Sequence, residues 1–252
     1  MSNEALDTID RYFCNDENTM HFLGEKKAAQ EVADYLSFGK ILPSDSPDMV
    51  ILHNGSYLAI EHFEFDSYKN HKSGSENRSE QARIERSFQA ISSSNHGILV
   101  HDEIKGKSSY EQYVKNVSSI FQNHYNKIES YKMNLIEKSV IESSTPLKIA
   151  FLIEDMSPLG TIAYDDGGQH PVVLALSREF LKLMRNSPAV DYVITCSGAG
   201  SNNFIWIISR ESLDEYDKNS VDYASMEFIN FTPKVLSYTI EVSRENIKNE
   251  KI

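Results

Sequence analysis

The chain has 252 residues, 40 % of them hydrophobic, which is enough for the core of one large domain. Its formal net charge of −12 at pH 7 argues against broad binding of nucleic-acid backbones, because such binding needs lysine and arginine to displace counterions. No apolar run approaches the roughly 18 residues of a membrane-spanning helix, and the first residues lack the basic and apolar parts of a signal peptide. The two cysteines, Cys14 and Cys196, indicate no disulfide framework, so we expect a cytoplasmic protein with core cysteines.

The N-terminal part of the chain predicts two helices followed by a short strand. Residues 3–13 are weakly amphipathic, and residues 25–36 place Ala28, Val32 and Tyr35 on one helical face. Residues 38–42 then predict a short strand, which ends at a proline-containing loop.

A β-hairpin is predicted next, over residues 48–66, and it is the most informative segment of the chain. Asn54 and Gly55 separate its two strands, and this pair is the strongest short turn signal because both residues tolerate positive φ. Side chains alternate between the two faces of a strand. One face of the second strand therefore carries Ala59, Glu61, Phe63 and Phe65, and the other carries Ile60, His62, Glu64 and Asp66.

The remaining pattern predicts further helices and strands around one sheet. Residues 69–77 read as a loop, followed by a helix near 79–91, a short strand at 97–101 and a long amphipathic helix over 109–139. We interpret 102–145 as a helical insertion whose aromatic stripe forms core or the seam of a homodimer. Strands are predicted at 147–154, 190–196, 203–209, 225–231 and 234–242, with a helix beginning at Ser177. The chain is thus predicted to be a single α/β domain, 1–252, with a mixed sheet flanked by helices.

Two carboxylates of the hairpin form the candidate chemical centre. Asp48 begins the first strand and Glu61 lies midway along the second, so strands about 4.8 Å apart would make the two residues neighbours. Mg²⁺ takes oxygen ligands of this kind and usually keeps waters or phosphate oxygens as well. The backbone carbonyl of His62 and the carboxylate of Glu31, on the preceding helix, are further candidate ligands. The alternative is that Asp48 serves the turn and Glu61 faces solvent.

The pattern Pro47-Asp48, twelve residues, then Glu61-X-Phe63 resembles the core of the PD-(D/E)XK nuclease superfamily. The resemblance covers about residues 25–155 and implies a restriction-endonuclease-like mixed sheet. It implies metal-dependent hydrolysis of phosphodiester bonds in DNA or RNA, with Asp48 and Glu61 binding Mg²⁺ or Mn²⁺. Glu31 would match the acidic residue of the family's first helix, and a bacterial nucleic-acid-processing role would follow.

The chain departs from the family pattern at Phe63, where the motif has lysine. A phenyl ring cannot orient water or neutralise charge, so a base must come from elsewhere. The candidates are Lys69, Lys72, Gln81 and Arg83. If none of them acts, the chain keeps a nuclease-like fold as a binding or assembly module. A third possibility is a different α/β enzyme that acts on a small phosphorylated ligand.

Other signals point to structure rather than chemistry. The eight histidines form no compact zinc-ligand pattern and are interpreted as structural. The glycines of the 198–201 loop precede a predicted strand, whereas a dinucleotide site needs a helix there. Glu154 and Asp155 end a strand and are interpreted as turn acids, with a substrate-positioning role as the alternative.

Overall fold

The computed structural model describes most of the chain. The described residues are 4–13, 21–24, 26–42, 44–67, 70–71, 74–75, 86, 100–104, 109–157, 161–165, 168–199, 202–225, 232–233 and 236–240. Cys14 lies outside them, as do all residues but Arg86 of the helix predicted near 79–91 and all but Ser225 of the strand predicted at 225–231. Within the described part, no helix is long and apolar enough to cross a membrane.

The structure describes six α-helices and fourteen strands within these residues. The helices are α1 Glu4–Phe13, α2 Lys26–Phe38, α3 Tyr110–Tyr125, α4 Ile128–Glu137, α5 Arg178–Arg185 and α6 Leu213–Lys218. The strands are β1 His21–Gly24, β2 Lys40–Leu42, β3 Met49–His53, β4 Ser56–Phe65, β5 Asn70–His71, β6 Gly74–Ser75, β7 Val100–Ile104, β8 Leu147–Asp155, β9 Thr161–Asp165, β10 Gly168–Pro171, β11 Tyr192–Ala199, β12 Asn202–Ser209, β13 Thr232–Pro233 and β14 Leu236–Ile240. The fold is α/β, as predicted.

A seven-stranded mixed sheet organises the molecule, in the order β1-β12-β11-β8-β4-β3-β2. The strands β2, β3 and β4 pair antiparallel, whereas β4 and β8, and β8 and β11, pair parallel. The β11–β12 pair is antiparallel, which confirms that the 198–201 segment joins two strands. Residues 97–99 of the strand predicted at 97–101 lie outside the described residues, whereas Val100 and His101 belong to β7, which continues to Ile104 and pairs with β14.

The hairpin has the register that its turn residues predict. Asn54 and Gly55 adopt φ values of 48° and 74°, and His53 pairs with Ser56 across the turn. Met49 consequently pairs with Ile60 at the other end of the hairpin. Because the register is fixed at both ends, the position of each side chain on the sheet is fixed as well.

The two faces of the sheet bury two separate hydrophobic cores. One core contains the odd-numbered β4 residues Ala59, Phe63 and Phe65 together with side chains of α3, α4 and α5. The other contains Leu58 and Ile60 together with side chains of α1 and α2. We call these the α3 face and the α1 face. The central strands β4 and β8 are largely buried on both sides, as is usual where a sheet has parallel central strands.

The helical segment predicted at 109–139 consists of two helices that cover the α3 face. Ser109 caps α3 by accepting a hydrogen bond from the backbone N–H of Gln112, and α3 ends at Asn126. The aromatic stripe is buried, including Tyr113, Phe121 and Tyr131. This stripe is therefore core, and the segment forms the crossover that joins the parallel strands β4 and β8.

Candidate functional site

Asp48 and Glu61 lie on the same face of the sheet. Asp48 directly precedes Met49, whose partner is Ile60, so the register places Asp48 opposite Glu61. The Oδ2 atom of Asp48 accepts a hydrogen bond from the backbone N–H of His62 at 2.7 Å. This hydrogen bond continues the contact between the two hairpin strands one residue beyond the Met49–Ile60 pair. It connects the segment that carries Asp48 with the segment that carries Glu61.

The charges of these two carboxylates interact. Burial raises the pKa of Asp48, the hydrogen bond from His62 lowers it, and the nearby charge of Glu61 raises it further. The net direction is upward. Two partly buried carboxylates that repel each other favour a cation or a proton between them.

Glu61 is held by two side chains from the covering helices. Its Oε1 atom accepts a hydrogen bond from the hydroxyl of Tyr131 at 2.6 Å and lies 2.7 Å from Nδ1 of His124. Burial and this carboxylate both raise the pKa of Tyr131, so its hydroxyl keeps its proton. The Glu61 side chain is 9 % exposed and that of His124 is 18 % exposed. The alternative interpretation, in which Glu61 faces solvent, is therefore wrong.

Phe63, at the position of the family's lysine, is a core residue. Its ring stacks on the imidazole of His124, with centroids 4.8 Å apart and planes 13° from parallel. The rings of Phe151 and Phe121 meet it edge-on at 5.5 and 6.4 Å. The imidazole of His124 therefore covers Phe63 and contacts Glu61 at the same time.

The structure does not bring Glu31 to this cluster. Glu31 lies on α2, which packs on the α1 face, and its carboxylate is paired with Lys148. Burial raises the pKa of Glu31, but the hydrogen bonds from Lys148 and Tyr192 outweigh it and lower the pKa overall. The side chain of His62 also points to the α1 face, so only its backbone is near Asp48. The other predicted site residues, Lys69, Lys72, Gln81 and Arg83, lie outside the described residues.

A second polar cluster lies on the α1 face, around Glu154 of β8. The Oε1 atom of Glu154 accepts hydrogen bonds from Arg11 at 2.6 Å and from the hydroxyl of Tyr12 at 3.0 Å. The Oε2 atom accepts a hydrogen bond from Thr8 at 3.2 Å and lies 3.4 Å from Nε2 of His62. Burial raises the pKa of Glu154, but His62, Arg11 and Tyr12 together lower it, so the buried carboxylate is ionised.

Three residues of this cluster could hold a metal ion. One ligand atom each of His62, Glu64 and Glu154 lies within 4.8 Å of the others. Sequence reasoning missed the group, because Glu154 reaches His62 and Glu64 only through the parallel pairing of β4 and β8. The sequence did contain one sign of the group: His62 and Glu64 are two residues apart on a strand, so their side chains lie on the same face.

Asp155, next to Glu154, lies on the α3 face as a partly buried acid. Its Oδ2 accepts a hydrogen bond from the hydroxyl of Tyr113 at 3.0 Å, and its Oδ1 accepts one from the backbone N–H of Ser157 at 2.9 Å. Burial is the main reason that the pKa of Asp155 is raised to about 6, and the charge of Asp66 adds to the effect. The hydrogen bonds from Ser157 and Tyr113 lower the pKa of Asp155, but by less than burial raises it.

We expect Asp155→Asn to weaken the pH dependence of stability. An unfolded aspartate releases its proton near pH 4, whereas folded Asp155 keeps it to about pH 6, so the folded chain loses stability as pH rises between these values. The loss amounts to about 3 kcal/mol at most and persists above the window. Urea unfolding across the window should show this loss in the wild type and little of it in Asp155→Asn. The exposed Asp45→Asn change is the control, and equal pH dependence in Asp155→Asn and wild type would contradict the prediction.

Comparisons with protein-family models, with curated proteins and with solved structures found no match. The side chains themselves define what the two clusters can do chemically. On the α3 face these are two carboxylates, an imidazole and a phenol. On the α1 face they are an imidazole and two carboxylates, one of which is held by an arginine.

Proposed function

We propose that this chain is a divalent-metal-dependent nuclease of the PD-(D/E)XK type that hydrolyses phosphodiester bonds in DNA or RNA. The observation that carries the proposal is the placement of Asp48 and Glu61 opposite each other on the α3 face. Their setting supports it: helix α2, the antiparallel strands β2, β3 and β4, a helical crossover and the parallel strand β8 follow in the order that the resemblance implies. The restriction-endonuclease-like fold is part of this proposal.

The donor set fits Mg²⁺ or Mn²⁺. Both candidate ligands are carboxylates, which these hard cations prefer. The Oε1 atom of Glu61 is engaged by His124 and Tyr131, whereas its Oε2 atom accepts no hydrogen bond from the part of the chain that the structure describes. Asp48 and Glu61 would hold the cation, which would lower the pKa of bound water and offset charge on the phosphodiester.

His124 is the described residue best placed to supply the function of the missing lysine. A carboxylate beside Nδ1 favours the tautomer that carries its proton on Nδ1, which leaves Nε2 as an acceptor. Within the described residues, Nε2 forms no hydrogen bond, and the side chain reaches solvent. His124 would therefore accept a proton from the attacking water at Nε2 while Glu61 and Phe63 fix the ring.

We expect His124→Gln to lower the rate of cleavage about a hundredfold, at the low end of the usual contribution of a general base. Metal affinity should change little, because His124 is not a ligand in this proposal. Single-turnover rates as a function of pH test the role, since removal of the base should also remove the rise of the rate with pH on the acidic side. His53→Gln, on the hairpin turn, is the matched control. An unchanged pH profile in His124→Gln would remove His124 from the mechanism.

The proposal is tested by incubating the full chain with single-stranded and duplex DNA and RNA, with Mg²⁺, with Mn²⁺ and with a chelator. Cleavage that requires the metal supports a nuclease. Calorimetry with each metal, without nucleic acid, reports binding separately. The proposal would be overturned if the folded chain cleaved none of these substrates and bound neither metal.

The alternative function is a binding or assembly module that has the nuclease-like fold without catalysis. The burial of Phe63 among Phe121, Phe151 and His124 is the observation that favours it, because an apolar core occupies the position of the motif lysine. Nucleic-acid binding without cleavage in the same assays would support this function. A homodimer through 109–139 also stays a proposal, and Met133 and Ile136 are the exposed apolar residues of α4 that it would use.

A further inference from the structure

We propose a second metal site, for Zn²⁺, formed by His62, Glu64 and Glu154 on the α1 face. It differs from the proposed nuclease centre in position and in ligand chemistry. Glu61 and His62 are adjacent on β4, so their side chains leave opposite faces of the same strand. An imidazole with carboxylates suits Zn²⁺, whereas a pair of carboxylates suits Mg²⁺.

The spacing of three polar atoms carries the inference. Nε2 of His62 lies 3.4 Å from Oε2 of Glu154, and the hydroxyl oxygen of Thr8 lies 3.3 Å from the first atom and 3.2 Å from the second. These three atoms form a nearly equilateral triangle. A tetrahedron with edges of this length has its centre about 2.0 Å from each corner, which is the usual distance of zinc to nitrogen and oxygen ligands.

A direct ion pair explains the same spacing less well. A charged hydrogen bond between imidazolium and carboxylate is normally about 2.7–2.9 Å long. The separation of 3.4 Å between His62 and Glu154 exceeds this, although both side chains are almost fully buried, with exposed fractions of 3 % and 1 %. A small cation shared by the two side chains would hold their ligand atoms at such a distance.

The surrounding residues orient the ligands. Arg11 and Tyr12 bind Oε1 of Glu154, which turns Oε2 toward His62. Such contacts to the second oxygen of a ligating carboxylate fix its direction in metal sites. Glu64 lies on the same face of β4 as His62, its side chain is exposed, and its ligand atom lies within 4.8 Å of the other two. Rotation of this exposed side chain would bring it to the cation, and Thr8 marks the corner closest to α1.

The site has a consequence for the fold. Thr8, Arg11 and Tyr12 all belong to α1, and all three contact Glu154. A cation bound by His62 and Glu154 would therefore hold in place the Glu154 carboxylate, which is the group that α1 contacts. It would also stiffen the strand that carries Glu61 on its other face.

The test is equilibrium dialysis of the full chain against Zn²⁺ in the presence of excess Mg²⁺, which fills all-oxygen sites. We expect one Zn²⁺ per chain in the wild type and at least a tenfold loss of affinity in Glu64→Gln. Glu64→His, which restores a ligand, should keep the affinity. Glu129→Gln, an exposed change outside both sites, is the control and should bind Zn²⁺ like the wild type. Glu61→Gln, on the opposite face of β4, distinguishes this site from the proposed nuclease centre.

Glu64 is exposed, so its variants should fold, and circular dichroism checks this point. Co²⁺ provides a second readout, because a tetrahedral site gives intense visible absorption and an octahedral one gives faint absorption. No bound Zn²⁺ in the wild type, or equal affinity in wild type and Glu64→Gln, would overturn the proposal. Loss of Zn²⁺ in Glu61→Gln alone would assign the ion to the nuclease centre and would also overturn it.

Discussion

Asp48→Asn is expected to lower metal-dependent cleavage by roughly a thousandfold or more. A bound divalent cation contributes several kcal/mol to stabilising a phosphoryl transition state, and each 1.36 kcal/mol corresponds to about a factor of ten in rate. Asparagine keeps the size of the side chain and can still accept the hydrogen bond from the backbone N–H of His62. The change therefore removes the ligand charge and preserves the hairpin.

Stability should not fall in this variant. Burial and the charge of Glu61 raise the pKa of Asp48, so its ionised form is disfavoured by the fold at neutral pH. The measurements are single-turnover cleavage, metal calorimetry and urea unfolding. Asp45→Asn is the control, because Asp45 lies in the same loop, is exposed and pairs with Lys138. Wild-type cleavage by Asp48→Asn would show that the hairpin carboxylates are not the catalytic centre.

Phe121→Ala is expected to destabilise the fold by about 3–5 kcal/mol, the usual cost of removing a large buried ring. Phe121 is fully buried on the α3 face. Its ring lies 4.9 Å from that of Phe151 and 5.9 Å from that of Phe180, so it joins α3 to both the sheet and α5. Such a loss is a large part of the roughly 5–15 kcal/mol that stabilises a typical domain.

Urea unfolding measures this effect, and Phe38→Ala is its control. Phe38 is 75 % exposed at the end of α2, so its truncation should change stability by about 0.5 kcal/mol or less. Phe121 precedes His124 by one helical turn, so Phe121→Ala should also lower cleavage under conditions where the variant is still folded. Equal unfolding free energies for the two variants would show that the α3 face is not a tightly packed core.

The hairpin shows how far local sequence can lead. Asn54 and Gly55 determine the turn, the turn determines the register, and the two-residue period of a strand then assigns Asp48 and Glu61 to one face. Each step depends on residues close together in the chain. The same reasoning predicted a buried strand at 147–154 and the strands around the 198–201 loop.

The long helical pattern shows where such reasoning stops. The apolar period of 109–139 predicted a helix and a buried aromatic stripe, but it did not predict the break at Asn126. The pattern also did not indicate that His124 and Tyr131 contact the carboxylate of Glu61. Those contacts depend on where helices α3 and α4 lie on the sheet. No hydrogen-bond partner of Glu61 was therefore predicted, although both of its partners lie within the predicted helix.

Local sequence determined α1, α2, the hairpin with its register, β8, β11 and β12, and the face on which each β4 side chain lies, because these follow from turn chemistry and short periods. It did not predict β1, β9, β10 or α6. Only the tertiary structure placed His124 over Phe63, Lys148 against Glu31, and Glu154 beside His62. Those contacts join segments that are distant along the chain. They are set by the parallel pairing of β4 with β8 and by the packing of a helix layer on each face, which no local pattern encodes.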